Sequence, residues 1–463
     1  MLSHFITPLS FIFTLGLLVT IHEYGHFQVA KWCGVKVLKF SIGFGKPLWR
    51  RKFGLDQTEF VLAAIPLGGY VKMLDEREIQ AGVDADSQFS EKDLSRAFNR
   101  QSVYKRIAIV LAGPAANLLL AITLYFFLFT LGVDGMKPIL GKVVNNSPAA
   151  IANMHSGETI SKINGKSVAT WQDAGWLLLN ASIISDTVEI ETIDSQHLAQ
   201  HHQLNISQIN LDNSKVDVLD QLGLTPFQGI FPPLIGLVVK GSRAELAGLK
   251  VNDLVISVND HSVVKWEDFV DEIRRHPDLA VGVNVKRDHK DILVKVTPES
   301  ANEGGKVIGR IGVELNLAKE DLDQILITQH YSVLRSLIKA IERTWDTSIF
   351  SLKMLGNMIT GHISWKSMSG PVAIAHYAGE SAHIGLKAFV GFLALISISI
   401  GVINLLPLPV LDGGHFMYYV IEIMSGKPVS EAVMIIGQKV GLTLLGLMMI
   451  LALYNDINRL ITG

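Results

Sequence analysis

The sequence predicts an α-helical multi-span membrane protein with four transmembrane helices, an inserted pair of repeated α+β domains and a membrane-associated β-hairpin. Three observations carry this. Apolar residues concentrate in four blocks, Pro8 to Val29, Ile107 to Val133, Ala388 to Leu411 and roughly Ala432 to Leu453. Each is near the ~20 residues that cross ~30 Å of hydrocarbon. Between the second and third blocks lies ordinary soluble sequence with an internal repeat. Between the first and second lies a basic, β-rich loop.

The first block ends on "TIHEYGHFQV" (20–29), which places two histidines and a glutamate where a span should be wholly apolar. Met1 to Ser10 holds no Lys or Arg, and no small-residue cleavage site follows, so the block reads as a retained span rather than a signal peptide. Lys31, Lys36, Lys39, Lys46 and 50–52 follow the first block; Arg100, Lys105 and Arg106 precede the second. Basic loops stay cytoplasmic, so 31–103 is expected inside, 134–384 outside, and both termini outside.

The expected boundaries are a first helix over 1–30, a cytoplasmic loop over 31–103 with its hairpin at about 55–73, and a second helix over 104–133. Two repeats over 134–226 and 227–320 come next, then an amphipathic segment over 321–384. The last two helices are placed over 385–414 and 430–456. Acidic and basic residues nearly cancel, 43 against 41, which gives no footprint for nucleic-acid binding. Cys33 is the single cysteine, so no intrachain disulfide forms.

The repeat aligns without a gap at an offset of 95. "GKVVNNSPAAIANMHSGETISKINGKSVATWQD" begins at Gly141 and "GLVVKGSRAELAGLKVNDLVISVNDHSVVKWED" at Gly236. Each copy reads strand, short helix, strand, Asn-Gly or Asn-Asp turn, helix. The pattern resembles the PDZ domain, which adds an extended peptide to a sheet edge. It implies grooves that bind a peptide or screen what approaches; the plain alternative is a rigid spacer.

His22 and His26 are i and i+4, so a helix places both on one face, within reach of one metal ion. Glu23 stands beside them. H-E-x-x-H is two zinc ligands plus a general base, Glu23. A third protein ligand is needed. Asp412, in "GVINLLPLPVLDGGHF" (401–416), is the candidate, with His415 and Glu422 as rivals. Pro407 and Pro409 break the third helix there, and broken backbone in a membrane must face protein or a water-filled cavity.

Together these motifs resemble the site-2 protease family of intramembrane zinc metalloproteases, which pairs HExxH with N-x-x-P-x-P-x-L-D-G; here that is Asn404, Pro407, Pro409, Leu411, Asp412 and Gly413. "SIGFG" (41–45), "FVLAAIPLGGYVKM" (60–73), "RIAIVLAGPAANLLLA" (106–121) and "SGPVAIA" (369–375) look like the bacterial branch with tandem PDZ domains. The resemblance assigns the third ligand to Asp412 and implies one zinc per chain. It makes Asn404, Pro407 and Pro409 substrate-binding, with Gly68, Gly69 and Tyr70 of the hairpin. Gly68-Gly69 reads as the hairpin turn. Asn117 reads either as a second substrate-binding amide or as a packing residue, with packing favoured by Gly113, Ala115 and Ala116 beside it.

The implied partners are membrane lipid and single-span membrane substrates, such as a trimmed anti-sigma factor in an envelope stress response, or remnant signal peptides. The implied location is a bacterial inner membrane, with the PDZ-like domains periplasmic and the site toward the cytoplasm. The rival functions are a catalytically idle adaptor presenting PDZ grooves and, more remotely, a transporter. In 330–362, Val333, Leu337, Ile341, Trp345, Ile349, Leu352 and Leu355 recur at helical spacing. They are expected to face the outer membrane surface or the repeat domains.

Overall fold

The computed structural model describes residues 3–77, 89–207, 209–210, 217–303, 306–316 and 319–462. The chain forms two units. One holds Met1–Val133 and Gln329–Gly463, the other Asp134–Ile209 and Val216–Thr328.

The first unit is built on helices α1 (Ser3–Trp32), α2 (Val103–Leu131), α3 (Val333–Thr360), α4 (Pro371–Ile384), α5 (Leu386–Asn404), α6 (Asp412–Ser425) and α7 (Glu431–Thr462). Stretches of α1, α2, α5 and α7 are long and apolar enough to cross a membrane: Ile6–Trp32, Val103–Leu131, Leu386–Asn404 and Glu431–Arg459. Their outer faces leave Phe13, Leu119, Phe127, Leu442 and Ile450 exposed. Water would penalise so large an apolar surface, and lipid would not. The third of these helices stops at Asn404 rather than at 414. Pro407 and Pro409 cannot continue it, and Asp412 opens a separate helix.

Strands β1 (Val37–Phe53) and β2 (Thr58–Met73) follow α1. Both bend, so Phe40 lies beside Phe60 and beside Val71. Phe27 of α1 packs on Phe40 and Phe60 with ring centroids 5.4 and 5.5 Å apart, which seats the sheet on the helix. The turn lies at Gly54–Gln57, where Gly54 and Gln57 take positive φ and the Gln57 N–H donates to the Gly54 carbonyl. Gly68-Gly69 is therefore not the turn. Both residues lie inside β2, and the hairpin runs over 37–73. Gly68 has φ +133°, and a Cβ there would strike the Phe44 ring, so glycine serves a strand irregularity instead.

Helix α3 packs on α2 and α5 through Ser336, Ala340, Thr344 and Thr347, which are buried. Val333, Leu337, Ile341, Trp345 and Leu352 stay exposed. The small stripe wins the protein contact because small residues let helix backbones approach closely. At the far end of α7, buried Asp456 accepts the N–H groups of Gly370, Val372 and Ala373. A buried carboxylate is thereby matched to the positive N-terminus of α4.

The second unit contains the repeat as two sheets of identical order. In the first, Lys166–Ser167, Thr159–Ile163, Thr187–Ile193 and Ala199–Asn205 lie side by side. In the second, the strands are His261–Ser262, Leu254–Val258, Val281–Arg287 and Lys290–Val296. Helices Trp171–Ser182 and Trp266–Arg274 close the cores, burying Trp171 and Phe269. Asn164 and Asn259 both take positive φ at the turn, as their matching positions require. The copies differ at their first strand. Ile235–Val238 pairs with Val313–Leu315, whereas among the described residues the first copy makes only isolated bridges there, Leu140 to Pro226 and Ile139 to Thr159.

Candidate metal centre

The α1 helix brings His22 and His26 onto one face, as their spacing requires. The Gly413-Gly414 pair then lets the start of α6 tuck against the loop after α5; a Cβ on either would strike the carbonyls of Leu405, Leu406 or Leu408. This delivers Asp412. Its Oδ2 lies 3.0 Å from His22 Nε2 and 3.4 Å from His26 Nε2. The two Nε2 atoms are 3.2 Å apart. Among the described residues these three side chains form the one group of three whose donor atoms all lie within 4.8 Å of one another.

The hydrogen bonds say what such a group wants. His26 Nδ1 is 2.8 Å from the Ile109 carbonyl, which can only accept. Nδ1 therefore carries a proton, and the ring in its neutral form turns a bare Nε2 toward Asp412 Oδ2. That oxygen is itself buried without a hydrogen-bond partner. Lone pairs facing lone pairs are stable around a shared cation, and two imidazoles with one carboxylate suit zinc with a position left for water.

Helix α2 closes over the site at Gly113, where any Cβ would collide with the Nε2 atoms of both histidines. By its sequence neighbourhood Gly113 reads only as a helix-packing residue. Its contact with the histidines is long-range, and the local small-residue pattern could not distinguish the two. Asn117, one turn further on, is fully buried with its Nδ2 3.3 Å from His22 Nδ1.

A cavity of about 990 Å³ opens on the site, lined by His22, Glu23, His26, Tyr70, Asn404 and Asp412 among others. Glu23 is half-buried against the edge of β2: a Cβ on Gly69 would come within 3.4 Å of its Cγ. Gly68, Gly69, Pro407 and Pro409 do not line the cavity. Pro409 instead packs beside Gly437 and Gly441 of α7. Of the rival ligands, His415 lines the cavity outside the three-donor group, its ring held below the ordinary imidazole range by burial. Glu422 is paired with Arg106 at 2.6 Å.

Outside the spans, the loop before α2 is pinned to the hairpin. Arg96 donates to both carboxylate oxygens of Asp56 at 2.5 and 2.7 Å and holds that carboxyl below its ordinary range. Lys36 donates to Asp93 at 2.6 Å and pushes it down to about 2.

Residues 10–448 match the model of peptidase family M50. The chain is 39% identical to the regulator of sigma-E protease RseP of Escherichia coli K12 over 462 residues, covering 99% of this chain and 100% of that one. It is 38% identical to RseP of Salmonella typhimurium, covering 97% and 98%. A Ralstonia nicotianae chain whose name describes it as a zinc metalloprotease is 39% identical, covering 98% and 99%. With HExxH and the LDG aspartate converging on one point, the chain belongs to peptidase family M50, the site-2 protease family of zinc metalloproteases.

Proposed function

We propose that this protein hydrolyses a peptide bond within the transmembrane segment of single-span membrane proteins, with His22, His26 and Asp412 as zinc ligands and Glu23 as general base. The observation that carries it is the convergence of those three donors beside Glu23, in a cavity that also meets the edge of β2. Bound zinc supplies a Lewis acid that brings its water to a pKa of roughly 7. Glu23 takes the proton of the attacking water and returns it to the leaving amine. A substrate helix hides its carbonyls in its own hydrogen bonds, so it must be extended first. Strand addition to the β2 edge near Tyr70 offers it backbone partners. The Asn404 amide, able both to donate and to accept, holds the extended segment beside the site. Gly68, Pro407 and Pro409 shape the surrounding backbone.

The basic loops support a site toward the cytoplasm, with the repeat domains and both termini outside. The repeat domains are PDZ-like and screen substrates by size or grip a free chain end. The E. coli and Salmonella relatives are named as regulators of sigma-E, which supports a role in controlling a sigma factor; on this reading the substrate is an anti-sigma factor trimmed outside the membrane, in an envelope stress response at the inner membrane. Zinc content decides the ligand set. Asp412→Ala is expected to lose zinc under mild chelation and His415→Ala to keep it; the reverse pattern overturns the assignment.

A further inference from the structure

We infer that Asn117 is a positioning residue for His22: its side-chain carboxamide oxygen accepts the Nδ1–H of His22 and so fixes the tautomer that turns a bare Nε2 toward the metal. The inference rests on the reading of His22, His26 and Asp412 as ligands. It starts from an asymmetry between the histidines. The tautomer of His26 is forced by a backbone carbonyl, that of Ile109. His22 has a side chain in the corresponding place, Asn117, which is fully buried.

A carboxamide can present either end, because oxygen and nitrogen fill nearly the same space. With Nδ2 toward His22, the ring must accept at Nδ1 and carry its proton on Nε2. That proton would occupy the point shared with His26 Nε2 and Asp412 Oδ2, where a ligand lone pair belongs. In that orientation Asn117 Oδ1 is also left buried with no partner. The reversed amide gives His22 the same tautomer as His26 and leaves one carboxamide end unpaired as before. The state of His22 therefore decides which end faces it. The helix is held in register for this contact by Ser397, whose hydroxyl donates to the Asn117 carbonyl at 2.8 Å.

A packing role and a positioning role predict opposite orders for two variants of the full-length protein. Asn117→Leu keeps the volume and removes the acceptor. Asn117→Asp keeps an acceptor and removes the donor. Positioning predicts that Leu weakens zinc affinity about 10- to 100-fold, measured by competition with a chromogenic chelator, while the metal-free protein melts no lower than wild type. Asp holds zinc at least as tightly as wild type. Wild-type zinc affinity in the Leu variant overturns the inference, as does an Asp variant that loses zinc as readily as Leu. Should the Leu variant not fold, Asn117→Ala against Asn117→Asp makes the same comparison. Asp412→Ala, measured alongside, separates the failures: zinc retained there sinks the ligand set, whereas zinc lost there but kept in Asn117→Leu sinks only the role of Asn117.

Discussion

Arg106 of α2 and Glu422 of α6 meet at 2.6 Å, and the guanidinium lies over the Tyr419 ring, 4.8 Å from its centroid. One helical turn beyond Arg106, α2 presents the Ile109 carbonyl to His26; ten residues before Glu422, α6 opens with Asp412. The pair thus ties together the two helices that aim the metal ligands. Both side chains are mostly buried, so removing one partner leaves the other charge desolvated, which costs about 3–5 kcal/mol in fully buried cases and less at this exposure. Arg106→Ala is expected to lower the melting temperature and to speed zinc loss. Glu422→Gln, which still accepts a hydrogen bond, should do less, and Arg106→Glu with Glu422→Arg should recover part of the loss. Equal damage from Arg106→Ala and Glu422→Gln would show that the pairing is incidental.

Gly113 admits no side chain, because a Cβ would overlap the Nε2 atoms of both histidines. Gly113→Ala should therefore remove zinc while retaining the helical circular dichroism of the unloaded protein. Mid-helix alanine is itself about 1 kcal/mol more favourable than glycine, so any defect arises from the site and not from helix propensity. Full zinc occupancy in the alanine variant would contradict the contact.

The Arg96–Asp56 pair gives a pH-dependent tether between the loop before α2 and the hairpin turn. The folded carboxyl is held below its ordinary value by Arg96, so its contribution is complete above the ordinary carboxylate range and is lost as pH falls through the depressed value. Asp56→Asn should melt below wild type at pH 7, with the gap closing as pH drops below about 4. A gap that is constant with pH would mean the carboxylate charge plays no part.

All three proposed zinc ligands lie in the first unit. Removing 134–320 should leave zinc stoichiometry unchanged, provided the four spans assemble. If the repeat domains screen by size, the shortened protein should also cleave a substrate with a bulky outer segment that the full chain refuses. Refusal by a zinc-loaded shortened protein would end the screening idea.

The parts legible in the sequence were those whose information is local. Four apolar blocks mark helices by hydropathy alone, and i, i+4 spacing puts His22 and His26 on one face without knowledge of any partner. The repeat shows as a gapless register that the two sheets reproduce strand for strand. What escaped depends on distant contacts. Gly68-Gly69 has the composition of a turn, yet Phe44 and Glu23 shape the backbone there, and the turn falls at Gly54–Gln57. The apolar stripe of α3 was legible from its spacing and stays exposed, but that the Ser336, Ala340, Thr344 and Thr347 stripe packs on α2 and α5 depends on those distant helices. Gly113 and Asn117 could be read as packing because His22, some ninety residues away in sequence, is the neighbour that gives them meaning.

The central claim is that Glu23 is the base and not a ligand. The measurement is zinc content and cleavage of a model transmembrane substrate by purified wild type and Glu23→Gln. Glutamine preserves the shape and leaves His22, His26 and Asp412 intact, so the variant should hold about one zinc per chain. Its cleavage rate should fall about 10²- to 10⁴-fold, the usual worth of a positioned general base. A zinc-loaded Glu23→Gln protein that cleaves at the wild-type rate would contradict the account.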